Sequence, residues 1–349
     1  MEFLLGKGKY IIFLLLLAFA LVLPFGVDNS IRSLLIFTGL YTLVSVGLSL
    51  LMGYAGQISL GQAAYYGIGA YTSAILTTQY SVNPWLAMLA GVVISVLVAF
   101  LVGLPLLKLE QHYLALATLA FGMIVNVFFG QSKLTGGTSG ISSIPSLSIG
   151  PLVFDNDLKF YFLVLFFVVA GSLLASNIVD SRVGRALRAV HTSEVAARSM
   201  AVPVHNIKNQ VFSLSAAYAS IAGSLFAHYI TYVSPTTFDL QTSIDFVVMA
   251  VIGGLASIWG PVLGAAAVVF IRRGLQDVVP LLFPNVTGEY EIVAFGIILA
   301  LIMIFMPEGL VAGIRSIVQR AFSVRTNNGT SGQKVLVESG EGKYNAPGS

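Results

Sequence analysis

The sequence contains no cysteine and few charged residues. Only 9% of its 349 residues are Asp, Glu, Lys or Arg, whereas soluble domains carry roughly 25%. The absence of cysteine excludes disulfides, thiolate metal sites and cysteine nucleophiles. The formal net charge of +3 is too small to indicate a nucleic-acid partner. These scarcities exclude a water-soluble globule.

The chain also lacks the residue sets that catalysis and nucleotide binding require. The Walker A pattern G-x-x-x-x-G-K-[ST] does not occur, so we expect this chain to bind no ATP of its own. The four histidines, at positions 112, 191, 205 and 228, form no convergent set with acidic residues on the predicted spans. We therefore predict no catalytic residue, no metal ligand and no bound cofactor, and we expect His228 to be a packing histidine.

Hydrophobic residues are abundant instead and make up 56% of the chain, enough for about ten spans of about 20 residues each. The sequence predicts an all-α polytopic membrane protein with about ten transmembrane helices. The candidate spans are residues 10–25, 33–52, 60–78, 85–107, 113–130, 160–178, 210–232, 244–283 and 290–306. Residues 10–25 lack a small-x-small cleavage site, which favours a retained helix. Residues 244–283 are too long for one span, so we predict two crossings.

The distribution of positive charge predicts the orientation. Thirteen of the 18 lysines and arginines fall on the side of the N-terminus, which indicates that both termini are cytoplasmic. Arg272 and Arg273 are exceptions, and the sequence leaves open whether they reach toward lipid headgroups or face the bundle interior. Asp245, Asp277, Glu289 and Glu291 lie near predicted outer ends, where we expect solvated carboxylates. We assign residues 1–322 to the transmembrane domain and 323–349 to a disordered cytoplasmic tail.

Two glycine-rich segments interrupt the spans. The first contains Gly53, Gly56, Gln57, Ser59 and Gln62, and the second contains Gly253, Gly254, Ser257, Gly260 and Pro261. Such residues fit either close helix packing through small side chains or an unwound, re-entrant segment that lines a polar path. Because amides lie beside glycines in the first segment, we favour the second interpretation and predict broken helices near a translocation path.

The loop of residues 181–209, here called the arginine loop, is the longest strongly charged stretch between spans. Arg182, Arg185 and Arg188 recur at three-residue spacing, and an alanine-rich stretch over 193–200 predicts a short helix. Ser193 is the candidate N-cap, and Pro203 is expected to end the run. The arginines alone fit the positive-inside rule and binding of anionic lipid. The short helix additionally indicates a docking element for a partner protein.

Five motifs, in this order along the chain, resemble the LivM-type permease subunit of branched-chain amino acid ABC importers. They are the segment 47–71, the segment GRALRAV at 184–190, EVAAR at 194–198, GGLASIWGPVLG at 253–264 and MPEGL at 306–310. The resemblance implies a bacterial or archaeal inner or plasma membrane protein. The implied partners are a second, LivH-type permease subunit, two cytoplasmic subunits that bind ATP, and an extracytoplasmic solute-binding protein.

Carried over by position, the resemblance places Glu194, Ala196, Ala197 and Arg198 in the loop that docks into an ATPase cleft. This chain has Ala201 where the family often has glycine, and His191-Thr192 where a charged pair is usual. We therefore expect Arg185 and Arg188 to share in docking. The implied cargo is leucine, isoleucine or valine. Urea, a short amide or another amino acid remains an alternative cargo, and an independent secondary transporter or a membrane-embedded enzyme remains an alternative class.

Overall fold

The computed structural model describes Ala18 and residues 20–150, 152–255, 257–282, 289–306 and 309–313. Its helices are α1 (Asn29–Leu48), α2 (Gln62–Thr78), α3 (Pro84–Leu106), α4 (Gln111–Gln131), α5 (Asp157–Asp180), α6 (Arg182–Thr192), α7 (Glu194–Ser199), α8 (Val204–Ile230), α9 (Leu240–Gly253), α10 (Gly260–Leu282) and α11 (Glu289–Phe305). Strands in these ranges are limited to two short pairs, so the all-α prediction is confirmed.

The long helices run up and down between two ends of a bundle. One end carries the arginine loop together with residues 55–61, 107–110 and 254–259, and we call it the arginine end. At the opposite end, β1 (Ile141–Ser142) pairs antiparallel with β4 (Tyr232–Val233), and β2 (Ser148–Ile149) pairs with β3 (Leu152–Val153). Five helices in the described ranges are long and apolar enough to cross a membrane: Asn29–Tyr54, Pro84–Leu106, His112–Gln131, Asp157–Asp180 and Val204–Ile230.

Helices α1, α2 and α8 form the centre of the bundle. Glycines allow the closest approach, because a Cβ on Gly223 of α8 would collide with the Tyr66 carbonyl of α2. A Cβ on Gly69 of α2 would likewise collide with Ser220 of α8. Small residues at helix crossings are typical of packing inside membranes. The backbones of α2 and α8 are therefore in close contact. Ser224 Oγ also donates a 3.0 Å hydrogen bond to the Gly69 carbonyl.

Helices α3, α4 and α5 lie outside this centre and expose large apolar side chains. The exposed set includes Leu89, Val93, Leu97, Leu101, Met123, Ile124, Phe128, Phe166 and Leu173. A continuous apolar surface on long helices suits the hydrocarbon of a bilayer. The uncovered faces of α3, α4 and α5 are therefore the natural lipid-facing side of the bundle.

His228 is a packing histidine, as the sequence predicts. Its ring is buried near the opposite end, where Nε2 lies 2.8 Å from Ser73 Oγ and Nδ1 lies 2.7 Å from the Pro145 carbonyl. Since a carbonyl only accepts, Nδ1 carries the proton and Nε2 accepts from Ser73. Both ring nitrogens are used, so His228 ties α8 to α2 and to the loop that follows β1.

The long predicted span 244–283 is two helices, α9 and α10, separated at residues 254–259. Helix α9 has 14 residues and is about 21 Å long, shorter than the roughly 30 Å of a hydrocarbon core. The break falls between the predicted glycine positions, where Gly254 has a φ of 109°. Residues 10–17 and 19 of the first predicted span lie outside the described residues, and so does the predicted tail.

Candidate functional site

The arginine loop folds into two short helices that lie across the arginine end. Helix α6 buries Gly184, Leu187 and Val190 and exposes its arginines, so it is amphipathic. Ser193 caps α7 as predicted, because its Oγ accepts a hydrogen bond of 3.3 Å from the Ala196 N–H. The loop is thus an ordered surface element whose arginine side chains are exposed and point away from the bundle.

The predicted docking residues divide into two groups in the structure. Arg185, Arg188, Ala196 and Arg198 are exposed, whereas Ala197 is buried against Val190 and Val204. Ala197 therefore holds α7 onto α6 and α8, and its side chain is not available to a partner. Glu194 forms an ion pair with Lys208 of α8 and lies 3.6 Å from Arg198 Nη2.

Two exposed apolar residues of the arginine loop were missed by the sequence analysis. Val195 is 77% exposed and Met200 is 79% exposed, one on each side of the Ala-Ala pair. Apolar residues at this exposure, one on α7 and one directly after it, offer a contact surface for a partner. The sequence alone gives no signal for them, because only the packing of α7 decides that Ala197 is buried while its neighbours are exposed.

Helix α7 ends earlier than predicted. It stops at Ser199, and Pro203 takes the position that precedes α8. The cause is Ala201, whose φ of 57° lies in the left-handed region that favours glycine. This is the position at which the resemblance leads us to expect glycine. The alanine therefore adopts a strained conformation to end α7.

The first glycine segment is unwound as well as buried. Helix α1 passes into a π-helical turn, Ser49–Tyr54, and residues 55–61 are not helical before α2 begins at Gln62. Gln57 is 2% exposed, and its two side-chain amide atoms have no hydrogen-bond partner among the described residues. Gln62 Nε2 instead donates to Ser215 Oγ of α8 at 2.9 Å. Local π-turns of this kind often mark functional positions.

The two predicted glycine segments meet at one place, although about 200 residues separate them in sequence. Ser49 Oγ donates to the Leu255 carbonyl at 2.9 Å, and a Cβ on Gly53 would collide with that same carbonyl. A Cβ on Gly253 would collide with the carbonyl of Gly260, and one on Gly309 would lie 2.5 Å from the Cα of Gly254. We call Gly53, Gly253, Gly254, Gly260 and Gly309 the glycine junction.

His191 joins the arginine loop to this junction. Its Nδ1 lies 3.1 Å from the Gly53 carbonyl, within the π-helical turn. Its ring also stands 3.4 Å from the position of a Cβ on Gly56, whose φ is 67°. A Cβ at this distance would make ordinary van der Waals contact with the ring, so it is the backbone conformation that favours glycine at position 56.

A cavity of about 710 Å³ opens beside this contact at the arginine end. Its walls come from residues 55–57, from residues 107–110 at the α3–α4 connection and from the arginine loop. The lining is polar and of mixed charge, with Lys108 and Glu110 facing Glu194 and Arg198. The unpartnered amide of Gln57 also lies in this wall. The cavity has the mixed character expected of an aqueous opening at a membrane surface.

Asp245 is not solvated, contrary to the expectation from sequence. It is 7% exposed on α9, and Arg272 Nη2 of α10 lies 2.8 Å from its Oδ2. Arg272 also stacks over the Phe295 ring at 4.9 Å from the centroid. The orientation of α9 against α10 points the carboxylate toward Arg272. Hydropathy alone does not predict this orientation. Asp277 is exposed and pairs with Arg273, whereas the side chains of Glu289 and Glu291 lie outside the described residues.

Residues 30–307 match the protein family described as the permease component of branched-chain amino acid transport systems. The chain belongs to this permease family. It is 31% identical to the high-affinity branched-chain amino acid transport permease protein LivM of Salmonella typhimurium and 30% identical to LivM of Escherichia coli. Each of these alignments covers 84% of this chain and 73% of the relative.

The permease is also 25% identical to the LivH protein of Escherichia coli, over 77% of this chain and 90% of LivH. No solved structure matches the chain significantly. Likeness to both LivM and LivH is consistent with a permease family whose two kinds of subunit share one fold. The matched region contains α2 to α11, nearly all of α1, and the arginine loop.

Proposed function

We propose that this chain is the membrane-spanning subunit of an ABC importer that carries leucine, isoleucine and valine. Family membership supports a permease, and the observation that carries the mechanism is the His191–Gly53 hydrogen bond. It joins the exposed arginine loop to the place where two broken helices touch. An importer that is powered by separate ATPase subunits requires a loop that is moved by those subunits and that passes the movement to the broken helices.

In this mechanism, ATP binds to two separate cytoplasmic subunits, and this chain contributes no catalytic group. The exposed residues Arg185, Arg188, Ala196 and Arg198 dock into an ATPase cleft, with Val195 and Met200 adding apolar contact. Glu194 acts differently from a docking residue, because it holds α7 to Lys208. Closure of the ATPases displaces the arginine loop, and the glycine junction passes the displacement to α1 and α9.

The proposed topology places the arginine end in the cytoplasm and the strand-bearing end outside. Ten crossings then include residues 10–25 and the short helix α9, and both termini are cytoplasmic. The segments 53–62 and 253–261 form re-entrant breaks beside the translocation path, which runs along the boundary with a second, LivH-type permease subunit. Residues 1–322 form the permease domain, and 323–349 form a cytoplasmic tail.

Reconstitution tests this function. The chain, its partner permease, the two ATPases and the solute-binding protein are placed in proteoliposomes, and uptake of radiolabelled leucine is measured with and without ATP. We expect uptake only when all components and ATP are present. Uptake by this chain alone, or uptake indifferent to ATP, would favour a secondary transporter instead. Parallel assays with valine and urea distinguish the branched-chain cargo from a short amide.

A further inference from the structure

The outer half of α10 differs in chemistry from every helix on the lipid-facing side. Arg273, Gln276 and Asp277 are exposed there, and Arg272 is 42% exposed at its side chain. By contrast, α3, α4 and α5 expose large apolar residues over their length. Charged side chains within a membrane span face a bundle interior, a partner or a water-filled path. The α1–α10 face therefore fits the proposed path along the boundary with a second permease subunit.

A groove of about 280 Å³ lies on this face between α1, α9 and α10. Its apolar wall consists of Leu34, Phe37, Tyr41, Met249, Val268 and Val269, and Arg272, Arg273 and Gln276 complete its lining. The volume of the groove is just below the roughly 300–1,000 Å³ of pockets for drug-sized ligands, as suits a single amino acid. The groove therefore joins an apolar surface to cationic side chains.

The carboxylate of Asp245 adds a negative charge beside the apolar groove and the Arg272 guanidinium. Asp245 accepts from Arg272 Nη2 at 2.8 Å and from Gln241 Nε2 at 3.3 Å. Only the carboxylate of this pair is buried, and its desolvation offsets most of the attraction, so the pair gives little net stability. Its presence on the α1–α10 face thus calls for a role other than stability. One cation and one anion side by side match the two charges of a zwitterion.

We propose that the Asp245–Arg272 pair and the adjoining groove form the binding site for an α-amino acid with a branched aliphatic side chain. The carboxylate of the amino acid pairs with the guanidinium of Arg272, and its ammonium group pairs with the carboxylate of Asp245. The aliphatic side chain packs on Phe37, Met249 and Val268. Each charge exchanges one partner for another, so no charge is left uncompensated when the amino acid enters. This site rests on the proposed import function.

The test removes both charges together, because removing one would leave the other buried and unpaired. The double variant Asp245→Asn, Arg272→Gln keeps the size of both side chains and can keep a hydrogen bond between them. We expect the complex to assemble and its solute-stimulated ATP hydrolysis to stay within about twofold of wild type. Leucine taken up per ATP hydrolysed should fall by roughly 10- to 100-fold, the effect of losing hydrogen bonds to charged groups.

Two further variants serve as a control on the same helix and as a conservative replacement of Arg272. Asp277→Asn removes an exposed carboxylate from the same helix and should leave uptake per ATP unchanged. Arg272→Lys keeps the charge but loses the planar fork that suits a carboxylate, so uptake per ATP should fall by an intermediate factor. An unchanged ratio in either Arg272 variant that assembles overturns the site. Absence of ATP-driven amino acid uptake by the wild-type complex would instead count against the proposed function itself.

Discussion

One imidazole joins the arginine loop to the glycine junction by a hydrogen bond. His191 Nδ1 lies 3.1 Å from the Gly53 carbonyl. The carbonyl only accepts, so Nδ1 carries the proton and donates. Replacing His191 with leucine keeps a side chain of similar reach and removes the donor. We expect the complex to assemble normally, because the rest of α6 still packs through Leu187 and Val190.

The size of the effect follows from the hydrogen bond. A typical intramolecular hydrogen bond contributes about 0.5–1.5 kcal/mol, and about 1.4 kcal/mol corresponds to tenfold. Loss of the bond should therefore reduce leucine uptake per ATP about two- to thirteenfold. Because His191 is exposed, water can replace part of the bond, which places the expected loss in the lower part of that range.

Two matched variants separate the hydrogen bond from the general structure of the loop. His191→Asn places an amide N–H close to the position of Nδ1, so it should restore most of the coupling. Thr192→Ala removes a hydroxyl that bonds only to Arg188 within the same helix, and it should have no effect. The assay is leucine uptake and ATP hydrolysis measured on the same proteoliposomes. Wild-type coupling in His191→Leu, or no recovery in His191→Asn, would refute the reasoning.

Three further outcomes are expected. Gly53→Ala should abolish uptake without blocking insertion, since its Cβ would collide with the Leu255 carbonyl; full uptake in this variant would contradict the junction. Glu194→Gln should weaken coupling, and adding Lys208→Met should recover it if Glu194 serves to hold Lys208, whereas no recovery would assign Glu194 to ATPase contact. Ala201→Gly should relieve strain of about 1 kcal/mol and slow protease cleavage of the arginine loop; faster cleavage would show that the strain is absent.

The positions of the helix breaks were predictable because their cause is local. Gly53 and Gly254 disfavour a continuous helix wherever they occur, and proline at position 261 fits only the first turn of a new helix. The same local rules predicted the Ser193 cap. These local rules do not predict which segments lie close together in the folded chain. The contact between the two breaks depends on the packing of α1 against α10, and no short sequence pattern encodes it.

The pairing of Asp245 with Arg272 shows the same limit more sharply. These residues are 27 positions apart on two helices, and a rotation of either helix would separate them. Hydropathy places Asp245 near the end of a span and therefore predicts solvation, and it leaves open which way Arg272 faces. Likewise, Ala197 and Ala196 are equivalent in sequence, yet one is buried and the other exposed. In a six-residue helix, only the neighbouring helices decide which alanine faces them.

The junction and the proposed amino acid site are mechanically connected through α9. Asp245 precedes Gly253 by eight residues, which places it about 12 Å along the helix from the junction. A rotation of α9 by about 10° about its junction end would shift Asp245 by about 2 Å, within the range of known helix movements. That shift is comparable to the 2.8 Å contact with Arg272, so it is enough to open the ion pair. In the proposed mechanism, a displacement received at His191 and passed through Gly53 to Leu255 opens this ion pair and releases the amino acid held between Asp245 and Arg272.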